Sequence, residues 1–184
     1  MGHAAAARAV QSALGLDRLL FVVANDPWQK SATREITPAE DRYAMTEALA
    51  AAIPGTEASR MEIDRGGPSF SVVTAGEVRN LYCHDDIDPE IFLVVGADLV
   101  PELGTWERPA ELAELVTLAV VSRPGAVRPP VPAGWKLTWI DGPQVEASSS
   151  SVREALAQGE GVEGMVPIEV MHCIARRGLY AVDR

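Results

Sequence analysis

The residues best equipped for chemistry lie in a few short segments, each polar or glycine-bearing and most beside an apolar or helix-forming run. Gly2-His3 opens the alanine-rich stretch Ala4 to Val10. At a helix start, a glycine lets a ligand approach the backbone, exposed N–H groups face an anion, and an imidazole can add a phosphate contact. Ser148-Ser149-Ser150-Ser151-Val152-Arg153 offers similar chemistry: hydroxyls and amides at a helix N-terminus, with Arg153 a turn inside as a cation. Taken alone, that segment equally suits a serine loop with an ordinary helix cap. Gly96-Ala97-Asp98, with Trp106 eight residues on, combines close backbone approach, a carboxylate that can accept from ribose hydroxyls and an aromatic face for a planar ring; a Trp so placed also suits a core. Arg65-Gly66-Gly67-Pro68-Ser69-Phe70-Ser71 could wrap a ligand or make a surface turn. Lys30 and Arg42 could bind phosphate or stay solvated, and His84 with Asp85 and Asp86 reads as solvated surface.

The elements that must position these groups follow from periodicity and punctuation. Residues 4 to 14 form a helix ended by Gly15, and Leu19 to Val23 is an apolar run of buried-strand type, with a short connection between them. Thr37-Pro38-Ala39-Glu40 has the form of a capping box, Thr at the cap and Pro first in a helix running to about Ala52. Ala58 to Ile63 suits a strand, Arg65 to Pro68 a turn and Ser71 to Leu81 a helix. Ile91 to Val95, Thr117 to Val121 and Leu137 to Ile140 read as further strands, Arg128 to Pro132 as a stiff connector, and Ser150 to Ala157 and Pro167 to Arg176 as closing helices. Helices alternating with apolar strands predict an α/β fold with a doubly wound, mainly parallel sheet. In such a fold ligands sit beyond the carboxyl ends of the strands. The segments to watch are therefore 25 to 30, 96 to 98 and 122 to 123.

Composition narrows the function. A chain of 184 residues that is 47% hydrophobic and 23% charged is expected to be one globular domain, residues 1 to 184. A formal charge of -10 argues against general nucleic-acid binding, which needs a basic surface, yet leaves room for a small anion where a few cations converge. No apolar run has the length of a membrane span and no signal-peptide pattern opens the chain, so a cytoplasmic location without membrane partners is expected. Cys83 and Cys173 lack metal-ligand spacing and read as unpaired thiols.

Taken in order, the segments resemble the nicotinate-nucleotide adenylyltransferase family, within the Rossmann-like nucleotidylyltransferase superfamily. Gly2-His3 is similar to the end of an H-x-G-H signature, and Pro27 to Lys30 to an early loop. Asp64 to Thr74 resembles R-x-G-x-S-[YF]-[TS]-x-x-T, and Gly96-Ala97-Asp98 through Trp106 resembles G-A-D-x7-W. Ser122-Arg123-Pro124-Gly125 matches S-R-P-G, and Ala147 to Arg153 resembles I-S-S-T-x-[IV]-R. The resemblance covers essentially the whole chain.

It implies an enzyme of NAD biosynthesis in which the phosphate of nicotinate mononucleotide attacks the α-phosphorus of ATP, giving deamido-NAD and pyrophosphate. Such transfer rests on positioning and charge stabilisation. Carried over by position, His3 and Arg153 would be catalytic. Gly2, His3, Gly96, Asp98, Ser149, Ser150 and Arg153 would hold ATP, and Lys30, Thr74, Trp106 and Arg123 the nicotinate mononucleotide, with Trp106 stacked on the ring. Mg2+ would come with ATP, no resident metal is implied, and a homo-oligomer is compatible. The family begins with a strand and the loop G-G-[ST]-F-D-P-x-H, and Met1 aligns inside the signature that follows it. The resemblance therefore implies an N-terminally truncated domain with its first strand missing. Ala147, Phe70 and Ser71 are milder departures. Two alternatives are a sister adenylyltransferase with another phosphate acceptor and a non-catalytic nucleotide-binding remnant.

Overall fold

The structure is a computed structural model that describes residues 2–27, 36–83, 88–142 and 148–180. The alanine-rich run forms α1 (Gly2–Leu14), and Gly15, at φ 60°, turns the chain toward β1 (Leu19–Val22). Helix α2 (Ala39–Ala51) carries it to β2 (Thr56–Ser59), which pairs in parallel with β1, Leu19 opposite Thr56 and Val22 opposite Ser59. Two helices, α3 (Met61–Arg65) and α4 (Ser71–Tyr82), then lead to β3 (Phe92–Gly96). A 3-10 segment (Ala97–Thr105) and α5 (Pro109–Leu115) precede β4 (Thr117–Ser122), and β5 (Leu137–Asp141), α6 (Ser149–Ala157) and α7 (Ile168–Arg177) follow.

All strand pairings are parallel, as expected. They form two sheets, β1-β2 and β3-β4-β5, with β4 central in the second. Because side chains alternate across a strand, the larger sheet is covered on both faces. Val95, Leu118 and Val120 pack with Val72 and Ala75 of α4, with Val100 and Leu103 of the 3-10 segment and with Leu112 of α5. On the other face Ala119 and Ile140 meet Val10 of α1, while Ala4 and Ala7 of the same helix meet Leu19 and Ile53. Helix α1 thus serves both sheets, and its small alanines allow close approach to the β1 side. Leu118 is fully buried, so truncation there to Ala costs about 2–5 kcal/mol. Among the described residues, β1 has no ladder partner on the side away from β2, and β3 none on the side away from β4; Val94 of β3 is 38% exposed.

Two readings of the sequence are corrected, and one stretch it left unread is structured. Thr37 does not cap α2: Pro38 is the cap residue, its ψ of 144° is extended rather than helical, and the Thr37 hydroxyl pairs with that of Tyr180 at 2.9 Å. The strand expected at Ala58 to Ile63 begins and ends earlier, because the backbone of Leu19 donates to Gly55 C=O and fixes register from Thr56; Met61 to Arg65 is helical instead. The 3-10 segment and α5 have no counterpart in the sequence reading, their short apolar spacing lying between two strong strand signals.

Candidate functional site

Parallel pairing sets the carboxyl ends of β3, β4 and β5 side by side, Gly96 beside Val121 and Ser122 beside Asp141. The chain leaves β3 at Gly96, which takes an ordinary extended φ of -73°. A methyl group on Gly96 would collide with Asp98 Oδ1, so what depends on the glycine is the pose of the carboxylate folded over it and not the backbone conformation. Asp98 itself is exposed. Arg123 leaves β4 exposed and, among the described residues, carries no ion pair. After β5 the next described residues form the start of α6. There Ser148 caps the helix, its hydroxyl accepting from the Ser151 N–H at 3.0 Å while the Ser148 N–H donates to Ser151 Oγ at 3.0 Å. The cap commits Ser148 and Ser151, leaving Ser149 and Ser150 exposed in the first turn, and Arg153 Nη2 reaches back to Ser150 Oγ at 3.3 Å. The cap and the anion-site readings of this segment therefore fall on different serines.

Trp106 ends the 3-10 segment half-buried, its ring packed on the cluster of Val95, Val100 and Leu103. Its Nε1 is buried and, among the described residues, has no hydrogen-bond partner. The ring is therefore both core and potential platform, and the orphaned donor is a cost of about 1–3 kcal/mol that apolar packing does not offset locally.

The smaller sheet presents a second group at its carboxyl edge. After β1, the Asn25 N–H donates to Ser69 Oγ at 2.9 Å, Asn25 Nδ2 donates to Gly67 C=O at 3.0 Å, and the Ser69 N–H donates to Asp26 C=O at 3.1 Å. Gly66 and Gly67, at φ 72° and 68°, permit that loop. Phe70, next in the chain, packs on the core of the larger sheet and so joins the two edges. Thr74 is not open to a ligand through its hydroxyl, which donates to the buried carboxylate of Glu62 and accepts from Arg65 Nη2 at 3.3 Å; Arg65 Nη1 also donates to Glu77 at 2.5 Å.

Arg42 is not a solvated cation. Its guanidinium donates to three backbone carbonyls: Nε to Thr37 at 2.8 Å, Nη1 to Ala24 at 2.5 Å and Nη2 to Asn25 at 3.0 Å. Burial lowers its pKa from the ordinary guanidinium value, partly opposed by Tyr180 and Asp26. The sequence offers one signal for Asn25, a polar residue just past an apolar strand, and none for the Arg42 contacts. Gly2 and His3 lie exposed in the first turn of α1. Because the C-terminal part of that helix meets the start of β2, with Gln11 Nε2 donating to Pro54 C=O, its N-terminus points toward the carboxyl end of β1. Lys30, His84, Asp85, Asp86 and Ala147 lie outside the described residues. Among the described residues no group of three or more His, Cys, Asp or Glu gathers that could hold a metal ion, and no helix is long and apolar enough to cross a membrane.

The cytidylyltransferase-like family profile matches residues 1–155. A protein of Thermus thermophilus, named probable nicotinate-nucleotide adenylyltransferase, is 39% identical over 180 residues, covering 98% of this chain and 92% of its own length. One of the same name from Corynebacterium kroppenstedtii is 37% identical over 182 residues, covering 97% and 84%. Among solved structures, the nicotinic acid mononucleotide adenylyltransferase of Plasmodium falciparum, complexed with NaAD, superposes with a TM-score of 0.72 at 13% identity, over 95% of this chain and 90% of that one. A second structure of that protein, complexed with APC, gives a TM-score of 0.72 at 12% identity, over 97% and 88%.

Proposed function

This chain belongs to the cytidylyltransferase-like family, and on that premise we propose that it transfers the adenylyl group of ATP to nicotinate mononucleotide, forming deamido-NAD and pyrophosphate. The observation that carries the reading is likeness at 35–39% identity, over nearly the whole chain, to proteins named for that reaction. The convergence of glycine, carboxylate and cationic segments at strand carboxyl ends supports it.

In the proposed reaction a phosphate oxygen of nicotinate mononucleotide forms a bond to the α-phosphorus of ATP, and the bond from that phosphorus to the oxygen bridging to the β-phosphorus breaks, releasing pyrophosphate. No covalent enzyme intermediate is needed, so the protein's task is to align the two phosphates and stabilise the charge gathering on the leaving group. Gly2 and His3 at the start of α1, Ser149 and Ser150 in the first turn of α6, and Arg153 are assigned to the ATP phosphates; His3 and Arg153 stabilise the departing pyrophosphate. Gly96 and Asp98 hold the adenosine ribose. Trp106 stacks on the nicotinate ring, Arg123 and Lys30 meet the acceptor's acidic groups, and Thr74 contributes through the loop it anchors. The family's use of a divalent cation with ATP fits this edge, where Asp98 and Asp141 are exposed carboxylates and a substrate-borne Mg2+ would draw most of its ligands from water and phosphate. Bound to the substrate, Mg2+ neutralises phosphate charge. A cytoplasmic site of action belongs to the same proposal.

The test is pyrophosphate release with nicotinate mononucleotide, nicotinamide mononucleotide and phosphopantetheine as acceptors. Fastest turnover of the nicotinate substrate is expected; faster turnover of phosphopantetheine overturns the assignment.

A further inference from the structure

We propose that Arg42 is a positioning residue for the acceptor side of the site: its guanidinium clamps the turn after β1 against the start of α2 and so holds Asn25 on the Gly67–Ser69 loop. This rests on the functional reading above. Three N–H groups of one side chain reach carbonyls in two separate stretches of the chain, Ala24 and Asn25 just after β1 and Thr37 just before α2. Among the described residues no carboxylate forms an ion pair with Arg42, so its donors are spent on backbone alone. The planar fork makes this possible, whereas a Lys ammonium is a point donor on a flexible stem and does not span three carbonyls at once.

What the clamp holds has consequences beyond stability. Asn25 uses its backbone N–H on Ser69 and its side-chain amide on Gly67, and Ser69 returns its N–H to Asp26. The next residue, Phe70, packs on the core beside which Trp106 lies. Releasing Ala24 and Asn25 therefore loosens the loop leading into Phe70, which packs on the same core as Trp106, the proposed nicotinate platform, while α6 and Asp98, assigned to ATP, make none of these contacts. Thr37 is also tied to the far end of the chain through Tyr180, and Arg177 of α7 pairs with Asp41 at 2.7 Å, so the anchoring side of the clamp is itself braced.

The experiment compares Arg42→Lys and Arg42→Ala with the parent chain by thermal melting, residue-level amide exchange and steady-state kinetics. With Arg42→Lys folded, the Asn25 and Ser69 amides exchange faster while those of β4 do not. The KM for nicotinate mononucleotide rises about tenfold and that for ATP stays within about twofold. Added methylguanidinium restores part of the Arg42→Ala loss. Unchanged exchange at Asn25 and Ser69, equal losses for both substrates, or unfolding of both variants overturns the proposal. A parent chain that makes no dinucleotide from nicotinate mononucleotide refutes the functional reading, and the exchange measurement still decides the clamp.

Discussion

Replacing Gly96 by Ala tests whether Asp98 is placed for ribose. The backbone at Gly96 has φ -73° and ψ 150°, a conformation any L-residue adopts, so the substitution carries no dihedral strain. The new methyl collides only with the carboxylate of Asp98, the end of an exposed and rotatable side chain. Stability should therefore move by no more than about 0.5 kcal/mol, as for other surface changes. Affinity is another matter. A hydrogen bond to a charged group contributes about 1.5–3 kcal/mol, so swinging the carboxylate away should weaken ATP by roughly ten- to a hundredfold. Asp98→Ala should cost a similar amount, and the double variant little more than either alone, because both changes remove the same contact. Calorimetric titration with a non-hydrolysable ATP analogue, beside urea denaturation, reads both quantities. A Gly96→Ala chain that binds ATP normally while Asp98→Ala does not would refute the steric argument, and normal binding by both would remove Asp98 from the ribose site.

Trp106→Ala should weaken nicotinate mononucleotide by about 1–3 kcal/mol more than ATP, whereas Trp106→Phe, which deletes the orphaned buried N–H but keeps most of the packing, should leave urea stability within about 1 kcal/mol of the parent; equal losses for both substrates would mark a core residue alone. The Arg60 guanidinium, bonded twice to Glu40, holds that carboxyl below its ordinary value of 4.5, so the pair's stabilisation is complete above that pH and fades as pH falls through the lowered folded value. Glu40→Gln should flatten that acid limb of the melting profile, and an unchanged limb would count against the pair.

Strands β1, β3 and β4 were legible because each is largely a continuous apolar run. Thr117 to Val121, in the central strand, is packed on both faces, and Phe92 to Val95 beside it is apolar throughout although Val94 is partly exposed, so their composition alone marks them. Where two signals competed, the sequence misled. Ala58 to Ile63 carries scattered apolar residues at 58, 61 and 63, yet the register with β1 is set by backbone pairing from Thr56, and residues beyond Ser59 are left to make the short α3. Thr37 has the type and spacing of a cap, but its hydroxyl is engaged by Tyr180, 143 positions away in the chain, which no local pattern encodes.

The same distinction separates the visible and invisible parts of the candidate site. Glycines and serines announce themselves because a close approach or a helix start restricts residue type locally. What fixes Thr74, by contrast, is a carboxylate twelve residues earlier that is buried only because α3 folds onto α4. Arg42 is stranger still: by composition it is one more cation on a helix, and only the meeting of Ala24, Asn25 and Thr37 gives its donors acceptors. A local motif therefore names the groups that would touch phosphate, while the groups that aim them are recruited from elsewhere in the fold by backbone carbonyls, which carry no side-chain identity. For that reason the clamp could be found only once the chain had closed around it.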